Sequence, residues 1–379
     1  MAGSVEPIEV VVSGHLCLDM IPEMDHVPRE ALSQPGYLAE VGRLALSTGG
    51  AVSNTGLALQ RLGIGVRLMA CVGDDFVGGA ILDFINRRDS SLTQYITVKD
   101  GQPSSYTIIL SPAKVDRIFL HSPSTNTTFG IEDLNFTVIR KARIFHLGYP
   151  PVLPRLILDD GAELARVYQE AKGAGVVTSL DMCLPDPDGF GGSVDWRKIL
   201  QATLPYVDIF VPSIEEILFM LRRADYDAWQ GGHILSHITA DYLDALGAEL
   251  LDMGAVIAGF KLGEMGFYLR TAPRGAFESL HPLPIDPDEW ASRRVWSPAF
   301  DVDGAGTTGA GDSAYAGLLG ALLRGMSPVE AARWACAVGA CNVEAADATS
   351  GVLSWAETQA RLEAGWPQHT VKLPGYVGD

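Results

Sequence analysis

Between residues 140 and 260 strand and helix patterns alternate, and this alternation constrains the fold more than any other feature of the chain. Arg143–Gly148, Val176–Asp181, Val207–Pro212 and Ala255–Phe260 are short strand-like runs that carry β-branched or aromatic residues. Runs that are apolar on both faces are what strands covered on both sides of a parallel sheet show. Gly161–Lys172 carries helical periodicity between the first two, and a further helix is expected from Glu215. Strand, helix, strand in succession means right-handed βαβ units and an α/β fold. Ile8–Gly14, β-branched and closed by a glycine, reads as the first strand of the same sheet. Ligands on such sheets bind beyond the carboxyl ends of the strands.

Two segments depart from this pattern. Residues 36–48 and 94–121, with short strands Tyr106–Leu110 and Arg117–Leu120 around Pro112, read as a small β-sheet lid outside the main core. Residues 225–241 and 284–297 read as loop-rich insertions. No internal repeat appears, and a single domain over 1–379 is expected. The formal net charge is −18, and no Lys/Arg cluster of the kind a phosphate backbone demands is present, so no nucleic-acid partner is expected. No run approaches the ~20 apolar residues that span a bilayer, and Ile8–Val12 is too short for a signal segment, so no membrane partner is expected. Cys17, Cys71, Cys183, Cys336 and Cys341 are odd in number and form no CxxC, which suits free thiols in a reducing, cytoplasmic setting.

The most informative motif is Gly304-Ala305-Gly306-Thr307-Thr308-Gly309-Ala310-Gly311-Asp312. It follows an expected strand, Val295–Val302, and precedes an expected helix, Ser313–Leu323. Small residues let backbone N–H groups approach a ligand closely. A helix N-terminus leaves donors unsatisfied and attracts anions. Such a cluster stabilises a phosphoryl group in transfer, and Asp312 at its rim can accept the proton of an attacking hydroxyl. Asp312 as a plain N-cap is the competing reading. The string occurs too late for a dinucleotide fingerprint and lacks the Gly-Lys-Ser/Thr ending of a P-loop.

Thr307-Thr308-Gly309-Ala310-Gly311-Asp312 resembles the C-terminal signature of the ribokinase-like, or PfkB, carbohydrate kinase family. Ser47-Thr48-Gly49-Gly50-Ala51-Val52-Ser53-Asn54-Thr55-Gly56 is similar to its N-terminal signature, and Cys71–Gly79 also matches. The resemblance covers roughly residues 8–360, with the motifs in family order. It implies a ribokinase-like three-layer fold, a mostly parallel sheet with helices on both faces and a β lid, and ATP-dependent phosphorylation of a hydroxyl of a sugar or sugar-like alcohol. It further implies Asp312 as base with Gly309, Ala310 and Gly311 as the anion loop. Asp19, Gly49, Gly50 and Asn54 would hold the acceptor, and Glu216 would be the Mg²⁺-side acid. Lys261, Gly263, Gly266, Thr308, Gly309, Gly311 and Asn342 would lie along ATP.

Several positions depart from the family pattern. Gly306 stands where an Asp is usual, which bears on potassium as an additional cofactor. Ser213 replaces the usual Asn of the magnesium element, Lys261 stands where Thr is common, and Met182-Cys183 follow Asp181 where relatives continue with Asn and Arg. His233 and His237 have i,i+4 spacing without a third metal ligand. A nucleoside kinase of the same fold is the nearest alternative, with Phe129 and Tyr149 as the aromatic residues for a base. A non-catalytic sugar or nucleotide sensor is the alternative from another class. Lid strands with exposed edges suggest a homodimer through the lid.

Overall fold

The computed structural model describes residues 7–24, 26–112, 118–229, 233–304, 306–345 and 347–378. Thirteen strands are formed among them: β1 Val10–Gly14, β2 Cys17–Pro22, β3 Leu44–Gly49, β4 Val66–Gly73, β5 Tyr95–Lys99, β6 Tyr106–Leu110, β7 Ile118–Ser122, β8 Ile144–Gly148, β9 Val177–Asp181, β10 Ile209–Phe210, β11 Ile257–Lys261, β12 Phe267–Thr271 and β13 Arg294–Ser297. Nine make one sheet in the order β13-β12-β11-β10-β9-β8-β1-β4-β5, parallel from β5 to β11 and antiparallel at β12 and β13.

The three-layer architecture follows from residues that are apolar on both faces of the strands. Val10 and Val12 of β1 pack into one core with the helices Ala51–Arg61, Ala310–Leu323 and Pro328–Val343. Val11 between them packs into a second core with Ala162–Gly173, Trp196–Thr203 and Ala240–Asp252. All three valines are fully buried. Each such side chain contributes about 1.5–3 kcal/mol by burial, so neither face of β1 tolerates a polar residue. From β1 the chain proceeds to β4 on one side and, later, to β8 on the other. This reversal of strand order opens a crevice at the carboxyl end of β1.

The lid is a separate four-stranded sheet, β3-β2-β6-β7. Its boundaries differ from expectation. β2, beyond the expected first strand, is a lid strand with a single polar residue, Asp19, among Cys17–Pro22, and its pairing with β3 and β6 places it in the lid. Residues 36–43 form no strand, and β5, inside the expected 94–121 lid, pairs with β4 at the edge of the large sheet. Arg117, the expected start of the second lid strand, lies outside the described residues, as do 113–116.

Elsewhere the expected insertions are partly helical: most of Arg223–Trp229, all of Ile234–His237 and the start of Ala240–Asp252 fall within 225–241, and Pro287–Trp290 and β13 within 284–297. The strand expected to reach Val302 ends at Ser297. The segment from Pro298 to Gly309 is thus a long connection, and the helix after it begins at Ala310 rather than Ser313. Among the described residues no helix is long and apolar enough to cross a membrane.

Candidate active site

The carboxyl ends of the parallel strands deliver most of the polar groups. His15 follows β1, Tyr149 follows β8, Asp181 ends β9 and Lys261 ends β11. Ser213, just beyond β10, bridges to Lys261 and caps the helix Ile214–Leu221, which carries Glu216. Opposite them, β3 runs into Gly49 and Gly50 and then into the helix Ala51–Arg61, which carries Asn54 and Thr55. Both glycines are sterically required. A Cβ on Gly49 would run into the Asp19 carboxylate, and one on Gly50, whose φ is 88°, would strike the His15 ring and carbonyl.

Asp312 stands in the first turn of the helix Ala310–Leu323 and is 2% exposed. Three side chains donate to its carboxylate: Tyr149 Oη to Oδ2 at 2.7 Å, Asn54 Nδ2 to Oδ2 at 3.0 Å and Thr55 Oγ1 to Oδ1 at 3.3 Å. The plain N-cap reading is excluded, because the N-cap is Gly309, at φ 73°, and no side chain caps this helix. Asn54, expected only to bind the acceptor, thus also orients Asp312. Thr55 and Tyr149 were not assigned to this carboxylate from sequence. Tyr149 carries no motif signal, but it occupies a left-handed conformation at φ 68°, rare for a non-glycine residue, and so its hydroxyl reaches Asp312 from the end of β8.

A second charged cluster lies alongside. Lys261 Nζ donates to both oxygens of the fully buried Asp181, at 2.5 and 2.8 Å. Burial pulls the Lys261 ammonium down, but the acids Asp181, Glu216 and Asp312 outweigh it, and the lysine is held well above its usual range. Glu216 reciprocates the Ser213 cap, its Oε2 accepting the Ser213 amide at 2.7 Å, and burial pushes its carboxyl up. Beneath Lys261, the Tyr315 ring lies 5.7 Å from Nζ, and Tyr315 donates to the Leu180 and Ile209 carbonyls. His146 Nδ1 and Tyr315 Oη both meet Ser179 Oγ, at 2.9 and 3.1 Å, and this buried network fixes the floor of the cluster.

These groups close one end of a cavity of about 530 Å³. Its far walls are apolar and small: Ala335, Cys336, Gly339 and Ala340 on the helix Pro328–Val343, with Phe267, Ala299 and Phe300. Gly263 and Gly266 line it beside Lys261, and Gly309, Ala310 and Gly311 line it beside Asp312. The Ala310 amide donates to the Thr307 carbonyl at 3.2 Å, so it is not one of the available anion donors. The Gly311 and Asp312 amides, which precede the first intrahelical bond, have no backbone acceptor among the described residues. A Cβ on Gly311 would stand 3.7 Å from Lys261 Nζ, so the lysine lies against this turn.

Asn342 does not face the cavity. It is fully buried, and its Nδ2 donates to the Thr308 carbonyl at 2.9 Å, tying the long 298–309 connection to the neighbouring helix. Thr308 therefore presents its carbonyl to Asn342. Phe129 is fully buried in the second core, and His237 stacks on Trp229 at 4.8 Å, so neither reaches the site.

The donor set fits a magnesium nucleotide. An apolar slot among small residues suits a flat base, and an N-terminal helical turn with an adjacent lysine suits phosphates. Among the described residues no three His, Cys, Asp or Glu side chains form a metal cluster. A single acid, Glu216, is what Mg²⁺ requires when waters and phosphates complete its shell.

On the lid, one row crosses all four strands: Ser47, Asp19, Thr107 and His121 are successive register partners. Thr107 Oγ1 and His121 Nδ1 are 3.1 Å apart, and Cys17 Sγ lies 3.4 Å from Asp19 Oδ1. Burial, partly offset by the hydrogen bonds from Cys17 and Thr107, pushes the Asp19 carboxyl up to about 6.

Residues 8–355 match the model of the pfkB family of carbohydrate kinases. The chain is 25% identical over 181 residues to "Fructokinase-2" of Oryza sativa subsp. japonica, a match covering 48% of this chain and half of that one. It is 24% identical over 335 residues to "Probable fructokinase-3" of Arabidopsis thaliana, covering 87% of this chain and 82% of that one. The structure of Arabidopsis thaliana ribokinase complexed with ribose and ATP superposes with a TM-score of 0.70 at 17% identity, covering 94% of this chain and 99% of that one, a likeness of fold.

Proposed function

Because this chain belongs to the pfkB family of carbohydrate kinases, we propose that it transfers the γ-phosphoryl group of ATP to a hydroxyl of a sugar, with Asp312 as the general base. The observation that carries this reading is the Asp312 carboxylate, fixed by Tyr149, Asn54 and Thr55 at the phosphate end of the cavity. The acceptor lies between the lid and the ends of β1 and β8, held by Asp19, Asn54 and the backbone at Gly49 and Gly50. ATP lies along Gly263, Gly266 and the slot by Gly339 and Ala340.

Asp312 takes the hydroxyl proton as the new O–P bond forms and the bond from the γ-phosphorus to ADP breaks. The amides of Gly311 and Asp312 and the ammonium of Lys261 stabilise the charge on the transferring group. Glu216, with waters and phosphate oxygens, would hold Mg²⁺, which would supply further positive charge to the phosphates. Gly306 provides no carboxylate before Thr307, so any potassium at this loop would rest on other oxygen donors. Asn342 supports the loop through Thr308 rather than touching the nucleotide.

The lid is also the surface for a homodimer: on β7, an edge strand of the lid, Ile118, Phe119 and Leu120 are exposed, and a second chain would cover them. The test of the activity is ADP release from Mg-ATP against sugars, polyols and nucleosides, with wild type beside Asp312→Asn. Turnover that needs a sugar and is lost in the variant supports the reading. Turnover with nucleosides alone would favour the nucleoside kinase, and binding without ADP release the sensor.

A further inference from the structure

His15 is placed at the centre of the acceptor region and has no assigned partner there. Its backbone is committed: the amide donates to the Gly148 carbonyl at 3.3 Å, and the carbonyl accepts the Val52 amide at 3.1 Å. These bonds pin the residue between the ends of β1 and β8 and the start of the helix Ala51–Arg61. Its ring lies over Gly50, 6.1 Å from the Tyr149 ring and 5.1 Å from the ring of His121 on the lid. Tyr149 in turn holds Asp312. His15 thus bridges the lid row to the side chain that positions the base.

The side chain is 6% exposed, yet neither Nδ1 nor Nε2 has a hydrogen-bond partner among the described residues. Close by in the same constellation, Asn54 is also buried. Its Nδ2 is committed to Asp312, while its Oδ1 has no partner. A buried polar atom without a partner costs about 1–3 kcal/mol, and such groups are rare unless something completes them. One of them, Asn54, bonds the base, the other, His15, lies against Tyr149, which also bonds it, and together they point to a ligand. A core histidine kept for packing would place at least one nitrogen on a carbonyl or hydroxyl, as His146 does on Ser179.

We propose that the His15 imidazole is an acceptor-binding group that exchanges hydrogen bonds with hydroxyls of an uncharged polyhydroxylated substrate, selecting it against acceptors that are anionic at that end. This rests on the kinase reading above. A neutral imidazole offers one N–H donor and one lone-pair acceptor, the complement of neighbouring hydroxyls. Burial and then the neighbouring His121 pull His15 down to about 3, so the ring is uncharged. The other groups assigned there, Asn54 Oδ1 and the Asp19 carboxylate, are acceptors only. Hydroxyls can donate to both, whereas a phosphate or carboxylate would meet lone pairs. A site whose buried polar groups need hydroxyl partners discriminates strongly against ligands that lack them.

The experiment compares wild type, His15→Phe and His15→Gln in ADP release with the acceptor that wild type uses best. Calorimetric ATP binding and thermal melting are run beside it. His15→Phe keeps a flat ring without nitrogens, and the expected result is an acceptor KM raised about 10- to 100-fold, the effect of one or two hydrogen bonds, with ATP affinity unchanged. His15→Gln, which restores a donor and an acceptor, should recover part of the loss and serves if the Phe variant melts early. In wild type, the ¹⁵N signals of a labelled imidazole should move on adding acceptor and stay in place on adding ATP. An unchanged acceptor KM in both variants, or imidazole signals indifferent to acceptor, overturns the assignment while leaving the kinase standing. Wild type that turns over no acceptor overturns the kinase reading and the assignment with it.

Discussion

The two sheets of this molecule carry their functional groups in opposite ways. In the nine-stranded sheet the strand interiors are core, and chemistry begins where the strands stop: His15 after β1, Tyr149 after β8, Asp181 at the end of β9 and Lys261 at the end of β11. In the four-stranded lid the working groups stand within the strands, as the row Ser47, Asp19, Thr107 and His121. The large sheet is covered on both faces, so only its edge is available to a ligand. In the lid Asp19 and Thr107 of that row are themselves buried, as is Leu18 on the opposite face, and the sheet opens toward solvent at its outer strand. Its outer strand β7 is exposed along its length, with Phe119 at 56%. On the proposed reading the rigid sheet holds the base and the phosphate end, where small displacements are costly, and the lid holds the acceptor.

If that division holds, damage at the strand ends should affect chemistry and damage on the lid should affect acceptor recognition. The largest effect is expected for Asp312→Asn, which should lower kcat on the order of 10²–10⁴-fold with ATP affinity kept; near-normal turnover would break the comparison at its centre. Lys261→Met leaves Asp181 buried without its cation, an arrangement that costs about 3–5 kcal/mol. Urea unfolding should register that loss, and Asp181→Asn added to it should restore much of the stability but not the turnover. Recovery of both would mean the lysine serves the fold alone.

On the lid, Asp19 sharpens the comparison through pH. Its folded-state value near 6 lies above the ~3.9 of an unfolded aspartate. The folded protein thus keeps this proton where the unfolded chain has released it, and Asp19 costs stability that develops as pH rises from about 4 to about 6. Asp19→Asn should therefore raise the melting temperature at pH 8 and leave it unchanged near pH 4, while the acceptor KM rises steeply. In wild type, kcat/KM for the acceptor should fall as pH drops through about 6. A variant no more stable at pH 8 would remove the strained-carboxylate account. The smallest effect is expected for Phe119→Ser, within ~0.5 kcal/mol for an exposed site. Light scattering on this variant decides whether β7 pairs chains, since loss of a dimer at unchanged stability would place the interface there.

Periodicity and local chemistry carried much of this architecture. The strand-like runs at 143–148, 176–181 and 255–260, with a helical pattern after the first, announce βαβ units and a parallel sheet, although His146, Thr178 and Ser179 show that polar side chains can also be buried in it. The glycines at 309 and 311 with Asp312 announce a ligand-binding turn because few other arrangements need small residues, a helix start and an acid together. Gly49 and Gly50 were legible as a close approach, though not that Asp19 and His15 are what approach them. The lid was legible only in part: Cys17–Pro22 has one polar residue, Asp19, and so no alternation to mark it as a lid strand, and β5 resembles a lid strand until its pairing with β4 is known.

Contacts between distant segments were decided by tertiary structure alone. Asn54 and Thr55 meet Asp312 across more than 250 residues, and Tyr149 reaches it across 163. Lys261 finds Asp181 rather than solvent, and Asn342 turns from the cavity to the Thr308 carbonyl. A residue's type limits which hydrogen bonds it can make, and local pattern limits its element. Its actual partner depends on which strand ends the sheet order brings together, and strand order is set by the packing of the whole core.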